Sequence, residues 1–222
     1  MGAPSGGIIM SRPRVLLADD HRMVAEGVKR LLEVEFELVA VVEDGRELVE
    51  AAQRLRPDVI VADITMPHLN GIDALRQLKR VNPDVRIVFL TMHKDAAYAR
   101  RALEEGACGY VLKHSAQTEL FLAVRAALEG RTFVSPMLAG EVIHHLTNNP
   151  THPVDPVALL TERQREILQL FAEGCPTKQI ASRLGLSTRT IEYHKYQMMD
   201  SLKLQSSVDL IHFAIKNGIV PI

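Results

Sequence analysis

Five short apolar runs in the N-terminal half constrain this chain more than any other feature of it: Val15–Ala18, Phe36–Val42, Val59–Ala62, Arg86–Leu90 and Tyr110–Leu112. Each is followed by a segment whose apolar residues recur at helical spacing. Met23, Val24, Val28, Leu31 and Leu32 follow the first run; Leu48, Val49, Ala52 and Leu55 follow the second. Strand–helix alternation repeated five times predicts a doubly wound (βα)5 α/β domain with a parallel sheet. Val59-Ile60-Val61-Ala62 shows no apolar–polar alternation, the pattern of a strand buried on both faces. Right-handed crossovers then gather the carboxyl ends of all the strands at one edge, where open α/β sheets bind ligands.

That edge collects a reactive set. Asp19 and Asp20 follow the first run, Asp63 the third, Thr91 the fourth and Lys113 the fifth. Three neighbouring carboxylates repel one another, and a divalent cation removes the penalty. A donor set made only of oxygen suits Mg²⁺. With the cation and the Lys113 ammonium screening it, Asp63 can attack a phosphoryl group and carry it as an acyl phosphate. The Thr91 hydroxyl is placed to donate to a phosphoryl oxygen. Two rival chemistries fit less well. An aspartyl-phosphate hydrolase needs a second acid two residues after the nucleophile, and Thr65 stands there. A dinucleotide or flavin module needs a glycine-rich loop after the first strand, and none follows Leu17.

On these residues, 12–130 resemble the receiver domain of two-component response regulators. The resemblance implies a flavodoxin-like fold with Asp63 as phosphoacceptor and Met66-Pro67 and Gly71 in the loop that follows it. Asp19, Asp20 and Asp63 become the Mg²⁺ ligands. Thr91 and Tyr110 become the switch hydroxyl and switch aromatic, and Lys113 the phosphoryl-binding lysine. Thr65 and His93 would flank the site and tune how fast the acyl phosphate hydrolyses. The implied partner is a sensor histidine kinase, and the implied chemistry is the protein's own phosphotransfer and dephosphorylation rather than turnover of an external substrate.

Charge gives no global signal: 26 Lys and Arg stand against 27 Asp and Glu, a formal net charge of -1. Any DNA affinity must come from local placement of cations. Cys108 and Cys175, in different predicted domains, suggest neither a disulfide framework nor a metal site, which fits a cytoplasmic protein. No apolar run is long enough to span a membrane, so no membrane partner is expected. Met1–Met10 reads as a disordered leader. Residues 131–156 read as a linker. Ser135-Pro136 opens a short helix with Leu138, Val142, Ile143 and Leu146, and the proline-laden stretch from Thr147 to Pro156 reads as an extended tether. His144, His145 and His152 are expected to be solvated there.

Residues 157–222 are helical throughout. Thr161 caps a first helix, Thr177 opens a second, Gly185-Leu186-Ser187 makes a tight turn, and Ser187 caps a longer helix from Thr188 to about Leu202. Two helices joined by a short turn containing Gly form a helix-turn-helix. In the longer helix Ile191, His194, Met198 and Leu202 share one face, and Arg189, Tyr193, Tyr196 and Asp200 share the opposite one. Two tyrosines facing outward suit a groove better than solvent. Thr188, Arg189 and Thr190 at the helix start can hold phosphate, and Lys178, Lys195 and Arg183 can add further backbone contacts.

Leu160-Thr161-Glu162-Arg163-Gln164-Arg165-Glu166, Lys178-Gln179-Ile180-Ala181, and Leu186-Ser187 with Thr190-Ile191 and His194 resemble the four-helix output domain of LuxR-type regulators. With the receiver, the chain from residue 12 is similar to the NarL/FixJ class. That similarity implies a homodimer formed on phosphorylation and promoter DNA with inverted-repeat half-sites. Glu192 and Ser201 stand where the class often has basic residues, and Glu192 suits the amino group of a cytosine.

Overall fold

The computed structural model describes residues 12–147 and 156–220. The Met1–Met10 leader and the proline-rich tether through residues 148–155, His152 included, lie outside the described residues. The first body is a parallel sheet built from β1 (Arg14–Ala18), β2 (Glu37–Val42), β3 (Val59–Ala62), β4 (Ile87–Thr91), β5 (Gly109–Leu112) and β6 (Phe133–Val134). Its order is β2-β1-β3-β4-β5-β6, every neighbouring pair parallel. Helices α1 (Arg22–Leu32), α2 (Gly45–Leu55), α3 (Gly71–Val81), α4 (Ala96–Glu104) and α5 (Ala116–Leu128) make the crossovers.

The pleat divides the core in two. Leu16, Ile60, Phe89 and Tyr110 face one way, against residues of α2, α3 and α4. Val15, Leu17, Val61, Val88 and Val111 face the other, against α1 and α5. Every residue of β3, β4 and β5 is buried, as the unbroken apolar runs require. The two edge strands, β2 and β6, are partly exposed.

The sixth strand departs from the sequence expectation of five. Phe133 pairs with Gly109 and Val134 with Tyr110. A two-residue strand is too short to carry a readable period. The following helix, α6 (Pro136–Thr147), lies against α4 and buries Leu138 and Val142 in the same core as Ala99 and Ala102. The first half of the expected linker is therefore packed on the sheet body.

The second body comprises α7 (Glu162–Ala172), α8 (Thr177–Leu184), α9 (Thr188–Ser201) and α10 (Ser207–Lys216), after a short turn at Pro156–Leu159. The cap residues act as their chemistry predicts. Thr161 and Ser206 each form a capping box, with Gln164 and Asp209 as the third-position partners. Ser187 accepts from the Thr190 amide. Ile167, Leu168, Leu170, Ile180, Ile191, Met198, Leu210 and Ala214 close a separate core.

A polar stripe of α7 runs along the contact between the two bodies. Arg165 Nε lies 2.6 Å from Asp73 Oδ1 in the first turn of α3, and both residues are buried. Four residues on, buried Gln169 accepts from the Asn70 amide at 2.8 Å and donates to the Met66 carbonyl at 2.8 Å. Glu173 accepts from the His68 amide at 2.9 Å, and Gln77 donates to Glu166 at 2.9 Å. Burial alone would raise the Asp73 pKa, but Arg165 and Arg76 outweigh it and hold the carboxyl below its ordinary range.

Candidate functional site

The strand ends place the expected residues in one corner. Lys113 Nζ lies 2.7 Å from Asp63 Oδ2 and 2.8 Å from Asp19 Oδ2. The other Asp63 oxygen accepts from the Ile64 amide at 2.6 Å. Asp19 Oδ1 accepts from the His21 amide at 2.9 Å, and His21 Nδ1 reaches Asp20 at 2.9 Å. Burial is the largest influence on Asp63 and, with Asp19 nearby, raises its pKa despite Lys113. Burial lowers the Lys113 pKa, but Asp63 and Asp19 more than compensate and raise it above the ordinary lysine value, so the ammonium is retained. The loop after β3 folds back tightly here. A Cβ added to Gly71 would lie 2.3 Å from the Asp63 carbonyl oxygen, so only glycine fits.

The remaining receiver candidates form a connected rim. Thr91 is fully buried, and its hydroxyl accepts from the His93 amide at 3.3 Å. Tyr110 is fully buried and donates its hydroxyl to the His93 carbonyl at 3.0 Å; burial pushes its pKa far up, so it stays a neutral donor. Thr65 Oγ1 and His93 Nε2 are 2.7 Å apart. Burial lowers the His93 pKa, which favours the neutral ring.

The donor chemistry fits a hard divalent cation. Asp19, Asp20, His21 and Asp63 each offer a ligand atom, all within 4.8 Å of one another. Asp19 Oδ2 and Asp20 Oδ1 are buried and accept no well-aligned hydrogen bond, although Lys113 and His21 lie close. Such oxygens gain most from an ion.

In the second body the outward face of α9 is exposed as its spacing predicts. Tyr193 is 58% and Tyr196 62% exposed, with Thr188 and Arg189 exposed at the helix start and Lys178 exposed on α8. Thr190 is partly tied down, its hydroxyl 2.8 Å from that of Ser187. Glu192 accepts from the Thr177 hydroxyl at 2.9 Å and pairs with Lys195, whose ammonium also lies over the Phe171 and Tyr196 rings. Glu192 and Lys195 are thus engaged with their own domain, which helical spacing alone does not reveal. The stripe formed by Arg165, Gln169 and Glu173 was also missed. Its signal was present, polar side chains repeating every fourth residue on a helix that already had an apolar face.

Residues 15–125 match the response regulator receiver domain, and residues 158–214 match the bacterial regulatory proteins of the luxR family. The oxygen regulatory protein NreC of Staphylococcus epidermidis is 35% identical over 215 residues, covering 93% of this chain and 99% of NreC. The chain belongs to the two-component response regulators. Its receiver and LuxR-type helix-turn-helix domain make it a transcriptional regulator, as its similarity to other full-length members bears out. The transcriptional regulatory protein DegU of Brevibacillus brevis is 33% identical over 225 residues, covering 94% of this regulator and 95% of DegU. The solved RcsB response regulator of Salmonella typhimurium is 28% identical, with a TM-score of 0.57, covering 92% of this chain and 98% of RcsB. RcsB has also been solved in complex with DNA, at 28% identity and a TM-score of 0.56, covering 91% of this chain and 98% of that one. The flavodoxin-like receiver and helical output domain expected from sequence are the architecture observed. Among the described residues no helix is long and apolar enough to cross a membrane.

Proposed function

We propose that a sensor histidine kinase in the cytosol transfers phosphate to Asp63, and that the acyl phosphate switches how the output domain engages promoter DNA. The observation that carries this reading is the Lys113 ammonium bridging Asp63 and Asp19 at 2.7 and 2.8 Å. It places a fixed positive charge beside the carboxylate that must accept a dianionic group. Burial raises the basicity of the Asp63 carboxylate and so strengthens it as a nucleophile. The Asp63 oxygen bonds to phosphorus as the bond from phosphorus to the kinase's histidine nitrogen breaks, and that nitrogen keeps the electron pair. Asp19, Asp20 and Asp63 would hold Mg²⁺, which supplies charge neutralisation for the transferring phosphoryl group. Lys113 pairs with a phosphoryl oxygen, and Thr91 turns its hydroxyl to donate to another. That rotation gives up the hydrogen bond from the His93 amide and loosens the segment against which Tyr110 is held. Thr65 and His93 flank the approach to phosphorus and set how quickly water removes the group.

In this reading 12–130 is the phosphoacceptor domain, 131–156 the connection and 157–222 the DNA-binding domain. The chain pairs with a second copy on phosphorylation and reads inverted-repeat half-sites. Arg189, Tyr193 and Tyr196 enter the groove, with Thr188, Thr190 and Lys178 on phosphates. Glu192 and Lys195 border the face, and each must leave its partner to touch a base. Gel shifts of promoter fragments, with and without acetyl phosphate, test the whole. Tighter binding after phosphorylation is expected, and a DNA-indifferent protein in both states would sink it. Lys178→Ala is expected to weaken binding alike on all sequences and to lower the salt slope of log K by about 1. A change confined to one operator would move Lys178 from phosphate to base contact.

A further inference from the structure

A residue outside the recognised phosphoryl machinery ties that machinery to the far end of the chain. The Tyr98 ring on α4 stacks on the His93 ring, with centroids 4.5 Å apart and planes 9° from parallel. His93 in turn is bonded to Thr65, so the loops leaving β3 and β4 are joined by a bar beside Asp63. At its hydroxyl end Tyr98 meets Gly218, just beyond α10. Gly218 has φ +60, and a Cβ built on it would lie 1.5 Å from the Tyr98 hydroxyl oxygen. The next two residues, Ile219 and Val220, are buried in the core of the output domain. The contact therefore belongs to that domain's packed body, not to a loose end.

We propose that Tyr98 is a positioning residue for the phosphoryl site, through which the docked output domain prolongs the lifetime of the acyl phosphate. The proposal rests on Asp63 being the phosphoacceptor. Hydrolysis requires a water oxygen to bond to phosphorus opposite the Asp63 oxygen as the Asp63 oxygen–phosphorus bond breaks. The electron pair returns to the carboxylate, and both hydrogens of the water leave on the phosphate. Thr65 and His93 flank that approach, and their mutual hydrogen bond narrows it. The stack from Tyr98 keeps the His93 ring in register for that bond, because a ring held flat on one face cannot swing about χ2. Gly218, seated against the hydroxyl, keeps Tyr98 from withdrawing. Undocking the output domain removes the stop, frees the ring and opens the lane to water.

The full-length chain, labelled with radioactive acetyl phosphate and chased, reads this directly. Tyr98→Ala is expected to shorten the half-life of the label at least threefold, and Tyr98→Phe, which keeps the stack, to restore at least half of it. Gly218→Val drives a side chain into Tyr98, and Arg165→Leu loosens the domain by removing the buried α7 ion pair with Asp73. Both are expected to shorten the half-life as Tyr98→Ala does. An unchanged or longer half-life in Tyr98→Ala overturns the proposal. A shortened one there, with both undocking variants unchanged, also overturns it, since the tie to the output domain would be missing. A wild-type chain that takes no label overturns the phosphoacceptor reading, and this inference with it.

Discussion

Asp63→Asn is expected to abolish labelling by acetyl phosphate while leaving the fold intact. The amide nitrogen and oxygen of Asn occupy the same space but supply no anionic nucleophile, so the loss should be complete rather than graded. Stability should not suffer. Burial raises the Asp63 pKa, so the ionised carboxylate is less favourable in the folded chain than in the unfolded one. A neutral isostere removes that penalty and leaves Lys113 paired with Asp19. The variant should melt at or slightly above the wild-type temperature in the absence of divalent ions. Millimolar Mg²⁺ should raise the wild-type melting point, since an ion at ten times its Kd adds about 1.4 kcal/mol to the folded state. Most of that increment should vanish in the variant. Label retained on Asp63→Asn would remove Asp63 from the role of acceptor, whatever the melting curves show.

The second large effect is expected at the seam between the domains. Arg165→Leu leaves Asp73 with Arg76 as its one close cation among the described residues. Breaking one arm of a buried ion pair typically costs about 3–5 kcal/mol, because the remaining charge stays out of water. Arg76, and the water that reaches Asp73 once the domains part, should hold this case at or below the lower figure. The neighbouring bonds from Gln169 to Asn70 and Met66 depend on the same approach of α7, so the output domain should part from the receiver. Calorimetry should resolve one transition into two, and amide exchange should rise around 66–73. Acid should act in the same direction. The folded Asp73 pKa lies below its unfolded value near 3.8, so its stabilising contribution is complete above about pH 4. It is lost as pH falls through the depressed folded value. Asp73→Asn should flatten that part of the stability profile. An unchanged pH slope would mean the pair contributes nothing net to docking.

Much of the receiver was legible before any coordinates. Unbroken apolar runs specify buried parallel strands, and connection rules then force their ends together, so Asp19, Asp63, Thr91 and Lys113 converge without a long-range guess. The helix caps Thr161 and Ser187 could be read because capping is a local hydrogen bond. What sequence concealed was every contact decided by packing between distant segments. Phe133 and Val134 look like linker because two residues have no period, and only the exposed edge of β5 recruits them. Arg165 and Gln169 look like surface polar residues, and they are buried because another domain supplies their partners. The seat of Gly218 against Tyr98 joins residues more than a hundred positions apart.

One feature of α9 bears on how a signal can be transmitted at all. With the output domain held against the receiver through α7, the tyrosines and Arg189 of α9 still point into open water. The receiver is not a lid over the reading head. In the proposed function a resting molecule is expected to brush along a duplex at low ionic strength, weakly and without regard to sequence. In that proposed function phosphate then governs how long the protein stays and with how many copies, since the fingertips were never gloved.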